Sequence, residues 1–386
     1  IVFGDWSSDV CSSDLSIPFL MLTIVQVPAA YVADRVGLKR TGYAGNALTV
    51  VGFLLLSGSA FLPAAGKALA TAGVVVFGIG QTIFGSAWFP LLQPIVPENV
   101  RGRFFGALRT SWQIVSVLFF GGVAFLLDRT GNLRSVFGGI LLAIAGLQFV
   151  RTLFYMRIPE FAERPAESGG VFAAIGEILR KPGYLPFSSY VFLLNLFTGG
   201  VALIFAMLEE KTLGFTEDRV VMMGTIMFVG QIVGFFLGGL MVDRFGTKMV
   251  FVICHIGYAT VLSAYVSRDQ LPAEWIFPAV ASLRFLFGMV YAGSSISASS
   301  ELFGLLPEKN KSLASAISVS LMNGGISLGG LIPAQILAMG VLAKSWTLFG
   351  TDKGPYDAIL LGCAVMVLLL VVTLGLVPSV IRKARW

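Results

Sequence analysis

Long apolar runs alternate with short polar turns along most of this chain. A helix that crosses a membrane takes about 20 mostly apolar residues, and eleven runs approach or exceed that length. They lie near residues 16–34, 42–62, 69–95, 104–127, 135–156, 186–208, 219–242, 249–267, 275–303, 313–342 and 357–380. One longer polar stretch, from Arg157 to Pro186, separates the first five runs from the last six. The pattern predicts an all-α polytopic membrane protein in two groups of helices.

Composition agrees with this interpretation. Only 12% of the 386 residues are charged, whereas a soluble domain usually has about 25%, so an ordinary cytosolic enzyme is excluded. Three cysteines are too few for a disulfide scaffold. The net charge of +6 comes from short clusters between apolar runs, which argues against a nucleic-acid partner. With His255 as the one histidine and no catalytic or phosphate-binding motif, we predict no enzyme activity, no cofactor and no metal site.

The positions of lysine and arginine predict the orientation of the chain in the cell membrane. If the turn after the first run is cytoplasmic, cytoplasmic segments carry 16 of these residues and the opposite turns carry 8. Cytoplasmic loops are normally enriched in positive charge. The polar linker and the C-terminal tail are therefore predicted to be cytoplasmic.

Two pairs of similar segments recur at nearly the same spacing. AYVADRVGLKR around Asp34 resembles GGLMVDRFGTK around Asp243, which lies 209 residues later. VPENVRGRFFGA, from Val96, resembles LPEKNKSLASA, from Leu306, at an offset of 210 residues. Two pairs at one offset indicate a duplicated bundle.

The same offset places the partner of the run at 186–208 before residue 1. We therefore expect that the first helix of a twelve-span protein is missing. The segment DWSSDVCSSDL, from Asp5 to Leu15, also resembles the translated read-through of a sequencing adapter. Residues 1–15 are accordingly interpreted as a non-native leader.

The D-R-x-G sequence followed by basic residues, present in both copies, resembles the signature of the major facilitator superfamily. The resemblance implies two pseudo-symmetric six-helix bundles, here with eleven helices. Residues 16–157 would form the N-terminal bundle (helices 2–6 of the full fold), 158–185 a cytoplasmic linker, and 186–386 the C-terminal bundle (helices 7–12). Ala30 and Leu38 depart from the family pattern.

The repeated loops are predicted to act as a gate. A carboxylate can accept hydrogen bonds from the free amides that begin a helix, and the repeat pairs Asp34 with the helix near Lys311 and Ser312, and Asp243 with the helix near Arg101. The resemblance implies that such contacts close the cytoplasmic side. The predicted gating residues are Asp34, Arg35, Gly37, Lys39, Arg40, Arg101, Arg103, Asp243, Arg244, Gly246 and Lys248. Plain solvated turns are the alternative.

Solute-binding candidates are polar residues inside the spans. Arg284 lies about ten residues into its span, where a guanidinium could bind an anionic solute or satisfy neighbouring carbonyl groups of the protein. The uncharged candidates are Gln81, Gln113, Asn195, Tyr291 and Asn323. Each could instead form a hydrogen bond between helices. Glycines at every fourth position, such as Gly230, Gly234 and Gly238, fit either rocking bundles or close packing within one bundle.

The function predicted from these features is secondary transport of a small polar solute, with an anionic solute as one option, by alternating access. A non-transporting sensor or scaffold on the same fold is the alternative. The predicted partners are the solute and the lipid bilayer, and the chain is expected to be a monomer. Proton co-transport stays open, because every carboxylate lies at the end of a span and Glu301 is the deepest.

Overall fold

The structure is a computed structural model that describes residues 25–62, 65–130, 134–161, 170–348 and 350–376. The predicted leader and any helix before residue 25 lie outside these residues. In the first half, helix α1 spans 25–36 and is followed by α2 (Leu38–Phe61), α3 (Gly66–Leu92), α4 (Arg101–Thr130) and α5 (Arg134–Tyr155). A short 3₁₀ helix, Glu98–Val100, precedes α4.

The second half begins after the linker. Its helices are α7 (Tyr184–Thr198), α8 (Val201–Lys211), α9 (Glu217–Val266), α10 (Ala273–Leu305), α11 (Lys311–Ala338) and α12 (Pro355–Leu376). A break at Gly246 divides α9 into α9a (217–245) and α9b (247–266). A 3₁₀ helix, Arg268–Gln270, joins α9b to α10. The fold class is confirmed as all-α and polytopic.

Two small elements were not predicted. Helix α6 (Val171–Arg180) lies inside the stretch that the sequence marks only as a polar linker. An antiparallel hairpin of β1 (Trp346–Leu348) and β2 (Thr351–Lys353), with Thr347 opposite Asp352, connects α11 to α12. We call the side of the molecule with this hairpin the hairpin end, and the side with Asp34 and Asp243 the motif end.

The apolar runs form helices because a lipid-embedded backbone must satisfy its own polar groups. Eight of the described helices are long and apolar enough to cross a membrane when α7 and α8, and α9a and α9b, are each counted as one. Large apolar side chains cover the outside of the bundle, for example Trp112, Leu118 and Phe120 on α4, each at least 68% exposed. Such a surface suits lipid and would be unfavourable in water.

Packing inside the second half depends on glycine. A Cβ atom at Gly230, Gly234 or Gly238 of α9a would lie within 3.0 Å of the backbone of α10. The two helices therefore approach more closely than larger residues would allow. Of the two explanations offered for this glycine pattern, close packing within one bundle is the one that the structure supports.

Candidate functional site

The first motif loop holds the two halves together at the motif end. The Asp34 carboxylate, at the end of α1, accepts hydrogen bonds from the backbone N–H groups of Ser312 (2.9 Å) and Leu313 (2.9 Å). These are the second and third residues of α11. The first N–H groups of a helix have no partner within it and carry its positive dipole end, so the carboxylate supplies the missing acceptor from the other half.

The second motif loop makes the same contact in the opposite direction. The Asp243 carboxylate, near the end of α9a, accepts from the backbone N–H groups of Gly102 (2.8 Å) and Arg103 (3.0 Å), the second and third residues of α4. The Arg103 side chain also donates to it, with Nε 3.0 Å from Oδ2. The repeat in the sequence is thus matched by a repeat in the structure. In each copy the aspartate accepts hydrogen bonds from the second and third backbone N–H groups of a helix in the other half.

The motif glycines explain why each loop turns at this point. Gly37 has a φ of 109° between α1 and α2, and Gly246 has a φ of 79° between α9a and α9b. Their ψ values of 141° and 161° place both in a region that is essentially restricted to glycine, where a residue with a Cβ atom would cost about 1–3 kcal/mol. Glycine therefore allows the chain to reverse within one residue while the nearby aspartate points towards the other half.

The remaining predicted gating residues have separate contacts. The Arg35 guanidinium lies over the Tyr31 ring, 3.4 Å from its centroid, and the Lys39 backbone N–H donates to Glu160 (3.1 Å). The other four lie near these loops. Arg101 reaches Glu98 and the Phe303 ring, Arg244 lies against Phe245, Arg40 is exposed, and Lys248 is half-buried.

Apolar and backbone contacts extend this closure into the molecule. Phe89 of α3, Phe105 of α4 and Phe303 of α10 form an aromatic cluster with ring centroids 4.8 to 5.9 Å apart, in which the Phe303 ring meets the other two edge to face. A Cβ atom at Gly106 of α4 would lie 2.7 Å from the Phe235 carbonyl oxygen of α9a. Helices from the two halves are therefore in backbone contact, which the glycine pattern in the sequence did not locate.

Next to this closed layer, an arginine of the first half reaches the second half. Arg109 of α4 donates to the hydroxyl groups of Ser295 and Ser299 on α10, with Nη2 2.7 Å from the Ser299 oxygen. Its guanidinium carbon lies 5.7 Å from the centroid of the Phe235 ring on α9a. Arg109 is eight residues after the start of α4, which places it about 12 Å along the helix. Arg109 is not among the solute-binding residues that the sequence predicts.

Two of the predicted solute-binding residues lie beside Arg109. Gln113 follows it by one helical turn on α4, and Tyr291 precedes Ser295 by one turn on α10, so each shares a face with a member of the contact. Both side chains are half-buried, and Arg109 is near enough to Tyr291 for an electrostatic interaction. We call Arg109, Gln113, Tyr291, Ser295 and Ser299 the Arg109 cluster.

Arg284 has a different environment. Its guanidinium forms a two-point ion pair with Glu209 of α8, at 2.8 Å for both Nε to Oε1 and Nη2 to Oε2. Tyr265 of α9b donates to the same carboxylate, and both charged side chains are at most 3% exposed. Of the two roles considered for Arg284, binding of an anionic solute and pairing with groups of the protein itself, this geometry favours the second. The partner is a carboxylate as well as the Ala202 carbonyl oxygen (3.3 Å).

Glu209 is a second buried carboxylate, and it is less exposed than Glu301 although the predicted spans do not include it. Glu209 is 0% exposed and Glu301 is 5% exposed, with Glu301 accepting from the Thr247 hydroxyl (2.6 Å). The predicted span ended at residue 208, one residue short, so Glu209 was assigned to a polar turn. Its contact with Arg284 joins residues 75 positions apart, which no local sequence pattern reveals.

The other predicted solute-binding residues lie on separate helices. The Asn195 amide donates to the Val191 carbonyl oxygen one turn earlier on α7 (2.8 Å), where α7 packs on the glycines of α11. Gln81 and Asn323 are half-buried on α3 and α11. The described residues therefore bring Gln113 and Tyr291, but not Asn195 or Arg284, next to Arg109.

Two apolar cavities lie elsewhere. One of about 300 Å³ is an open crevice between α7, α11 and α12 and is lined by residues such as Phe197 and Ile332. The other, of about 400 Å³, lies between α1, α2 and α3, with Arg40 at its edge. Neither includes a member of the Arg109 cluster, so these crevices between neighbouring helices are distinct from the polar contact between the halves.

The fold and this interface together define a polytopic membrane transporter built from two helical halves that meet around a polar contact. The family model described as Major Facilitator Superfamily matches residues 4–216 and 191–384. The chain belongs to that superfamily.

Similar proteins agree with this assignment. The sialic acid transporter NanX of Escherichia coli (strain K12) is 28% identical over 139 residues, which are 36% of this chain and 31% of that relative. The match thus spans about a third of the relative's length.

Two solved structures share the fold. The human organic anion transporter MFSD10 has a TM-score of 0.72 at 12% identity, covering 94% of this chain and 83% of that one. The Escherichia coli transporter FucP in the outward conformation has a TM-score of 0.67 at 13% identity, with coverages of 97% and 91%. At such identities the likeness shows the fold alone.

Proposed function

We propose that this protein moves a small polar solute across the cell membrane by alternating access, with the motif end, the linker and the C-terminus on the cytoplasmic side. The observation that carries the proposal is the pair of matched contacts from Asp34 to α11 and from Asp243 to α4. Each crosses between the halves, and each can break without unfolding either half. A static scaffold has no need of two such releasable contacts.

Charge supports the orientation and the nature of the solute. The twofold excess of lysine and arginine on the motif side favours its placement in the cytoplasm. An acidic solute is supported by the similarity to a sialic acid transporter over 139 residues and by the arginine between the halves. We propose a monomer that works in the lipid bilayer, with a proton as the co-transported ion.

Transport is tested directly in proteoliposomes that contain the purified chain. We expect uptake of labelled sialic acid, or of a neutral sugar, above that of protein-free vesicles, with faster uptake when a proton gradient is imposed. Uptake that ignores the gradient would contradict proton coupling alone. A chain that folds but moves no solute of either kind would favour the alternative of a sensor or scaffold.

The gate is tested with Asp34→Asn in a chain whose own cysteines are replaced by alanine and which carries Leu92→Cys. Leu92 is 5% exposed at the motif end of α3 and belongs to an apolar cluster shared with the second half. Loss of charged hydrogen bonds costs about 1–3 kcal/mol, so the motif end should open more often. We expect faster labelling of the new cysteine by a water-soluble maleimide, by roughly 5-fold or more.

The matched control is Glu308→Gln, which removes an exposed carboxylate from the loop before α11. It should leave the labelling rate unchanged. If Asp34→Asn also leaves the rate unchanged, these loops are ordinary solvated turns and the gating proposal is wrong.

A further inference from the structure

Arg109 is a cation without an anionic partner among the described residues. Its hydrogen bonds go to two neutral hydroxyl groups, Ser295 and Ser299, which leaves three of the five N–H groups of a guanidinium without a protein acceptor there. The side chain is only half-buried, so it retains surface between the halves. A charge removed from water is costly unless it is paired.

The chain shows what full compensation looks like at a comparable position. Arg284 is matched by a carboxylate at two points, and a third arginine, Arg268, is matched by Asp357 and Asp269. Arg109 differs from both because its neighbours are hydroxyl groups, an aromatic ring and an amide. No carboxylate among the described residues supplies the negative charge that would complete the Arg109 cluster.

We propose that the Arg109 cluster binds a hydroxylated monocarboxylate, such as a sugar acid, through a two-point contact between Arg109 and the carboxylate of the solute. This inference rests on the proposed transport function and names its substrate class. The planar guanidinium matches a carboxylate in geometry. One positive charge balances one negative charge, whereas a doubly charged phosphate would leave one charge without a partner.

The neighbouring groups account for the rest of the solute. The Tyr291 hydroxyl and the Gln113 amide, each one turn from a residue of the contact, can exchange hydrogen bonds with hydroxyl groups. The Phe235 ring, which is only 7% exposed, closes the apolar side of the cluster next to the Arg109 guanidinium. Because α4 and α10 belong to different halves, a solute held by both would bind at the surface where the halves separate.

The test measures binding to the purified chain in detergent, so that it does not depend on transport. The probes are three acids with their neutral counterparts: glucuronate with glucose, galacturonate with galactose, and gluconate with glucitol. Isothermal titration should give tighter binding for at least one acid than for its counterpart. Arg109→Gln should lower the affinity for that acid by about 30-fold or more. It should change the affinity for the neutral sugar by no more than about 2-fold, since the hydroxyl contacts remain.

Two further variants separate this role from a structural one. Arg109→Lys keeps the charge but loses the planar fork, so it should restore part of the preference for the acid. Glu210→Gln removes an exposed carboxylate of α8 and should preserve the preference fully. Acetate should bind more weakly than the sugar acids, because it lacks the hydroxyl groups.

Equal binding of acids and neutral sugars, no binding of any acid, or an unchanged preference in Arg109→Gln would each overturn the inference. Its failure is distinguishable from failure of the proposed function. Uptake of a neutral sugar without binding of acids would leave transport standing. Binding of an acid without uptake would leave the site standing and contradict transport.

Discussion

Arg109 and Arg284 lie in the membrane-spanning part of the same molecule but in opposite electrostatic settings. Arg284 joins three helices of the second half through Glu209 and Tyr265. Arg109 bridges the two halves and meets only neutral groups among the described residues. The difference teaches that an arginine within a span cannot be assigned a role from its position in the span alone. The presence of a carboxylate partner marks Arg284 as a structural tie, and the lack of one among the described residues is what motivates the proposed binding role of Arg109.

The largest expected effect comes from breaking the paired arginine. Glu209→Gln leaves the Arg284 charge buried without its partner, and removal of one member of a buried ion pair costs about 3–5 kcal/mol. We expect a marked fall in the unfolding temperature of the chain in detergent, measured by differential scanning fluorimetry. Replacing both Glu209 and Arg284 by leucine should recover much of this loss, because no unpaired charge remains.

The neighbouring Glu210→Gln is the control for that measurement. Glu210 is exposed and Glu209 is completely buried, although they are adjacent in sequence. Its substitution should change the unfolding temperature very little. Equal effects of the two substitutions would mean that the Glu209–Arg284 ion pair contributes little to stability, and Arg284 would then not differ from Arg109 as a structural tie.

An intermediate effect is expected where the two halves touch beside Arg109. The methyl group of Gly106→Ala would lie 2.7 Å from the Phe235 carbonyl oxygen, and overpacking of this kind costs about 1–3 kcal/mol. We expect the motif end to open and the Leu92→Cys reporter to be labelled faster. Gly121→Ala, on the same helix but with open space around the new methyl group, should leave labelling unchanged. Equal labelling rates in both variants would contradict the close contact between α4 and α9a.

The smallest effect on stability is expected at Arg109 itself. Arg109→Gln removes a cation with no anionic partner and can retain a hydrogen bond to a serine, so the free energy of unfolding should change by less than about 1 kcal/mol. Chemical unfolding in detergent measures this. A destabilisation as large as that of Glu209→Gln would show that Arg109 is also a structural tie and would remove the contrast.

The features that sequence alone could predict are those with a repeated local signal. Asp34 and Asp243 were located by the spacing of two similar segments, and the helix starts that they contact were located by the second pair of segments. The structure shows both contacts at equivalent residues. The spans were predictable for a related reason, since lipid requires long apolar runs whatever their neighbours are.

The features that were missed depend on contacts between distant helices. Arg109 lies within the predicted span 104–127, and a charged residue inside a span is a signal by itself, but its serine partners are 186 and 190 residues away. Glu209 fell outside its predicted span by one residue. Even with both noticed, nothing in the sequence states that Glu209 pairs with Arg284 rather than with Arg109.

Helix α10 takes part in both the Arg284–Glu209 ion pair and the contact of Arg109 with Ser295 and Ser299. Arg284 and Ser295 are eleven residues apart on this helix, which corresponds to about 16 Å. The ion pair holds α10 to α8 and α9b at Arg284, and Ser295 and Ser299 contact Arg109 of the opposite half. A displacement of those serines would therefore be transmitted along α10 to the point where Arg284 holds the helix in place. We expect the second half to respond to an occupant by turning as one piece rather than by bending locally.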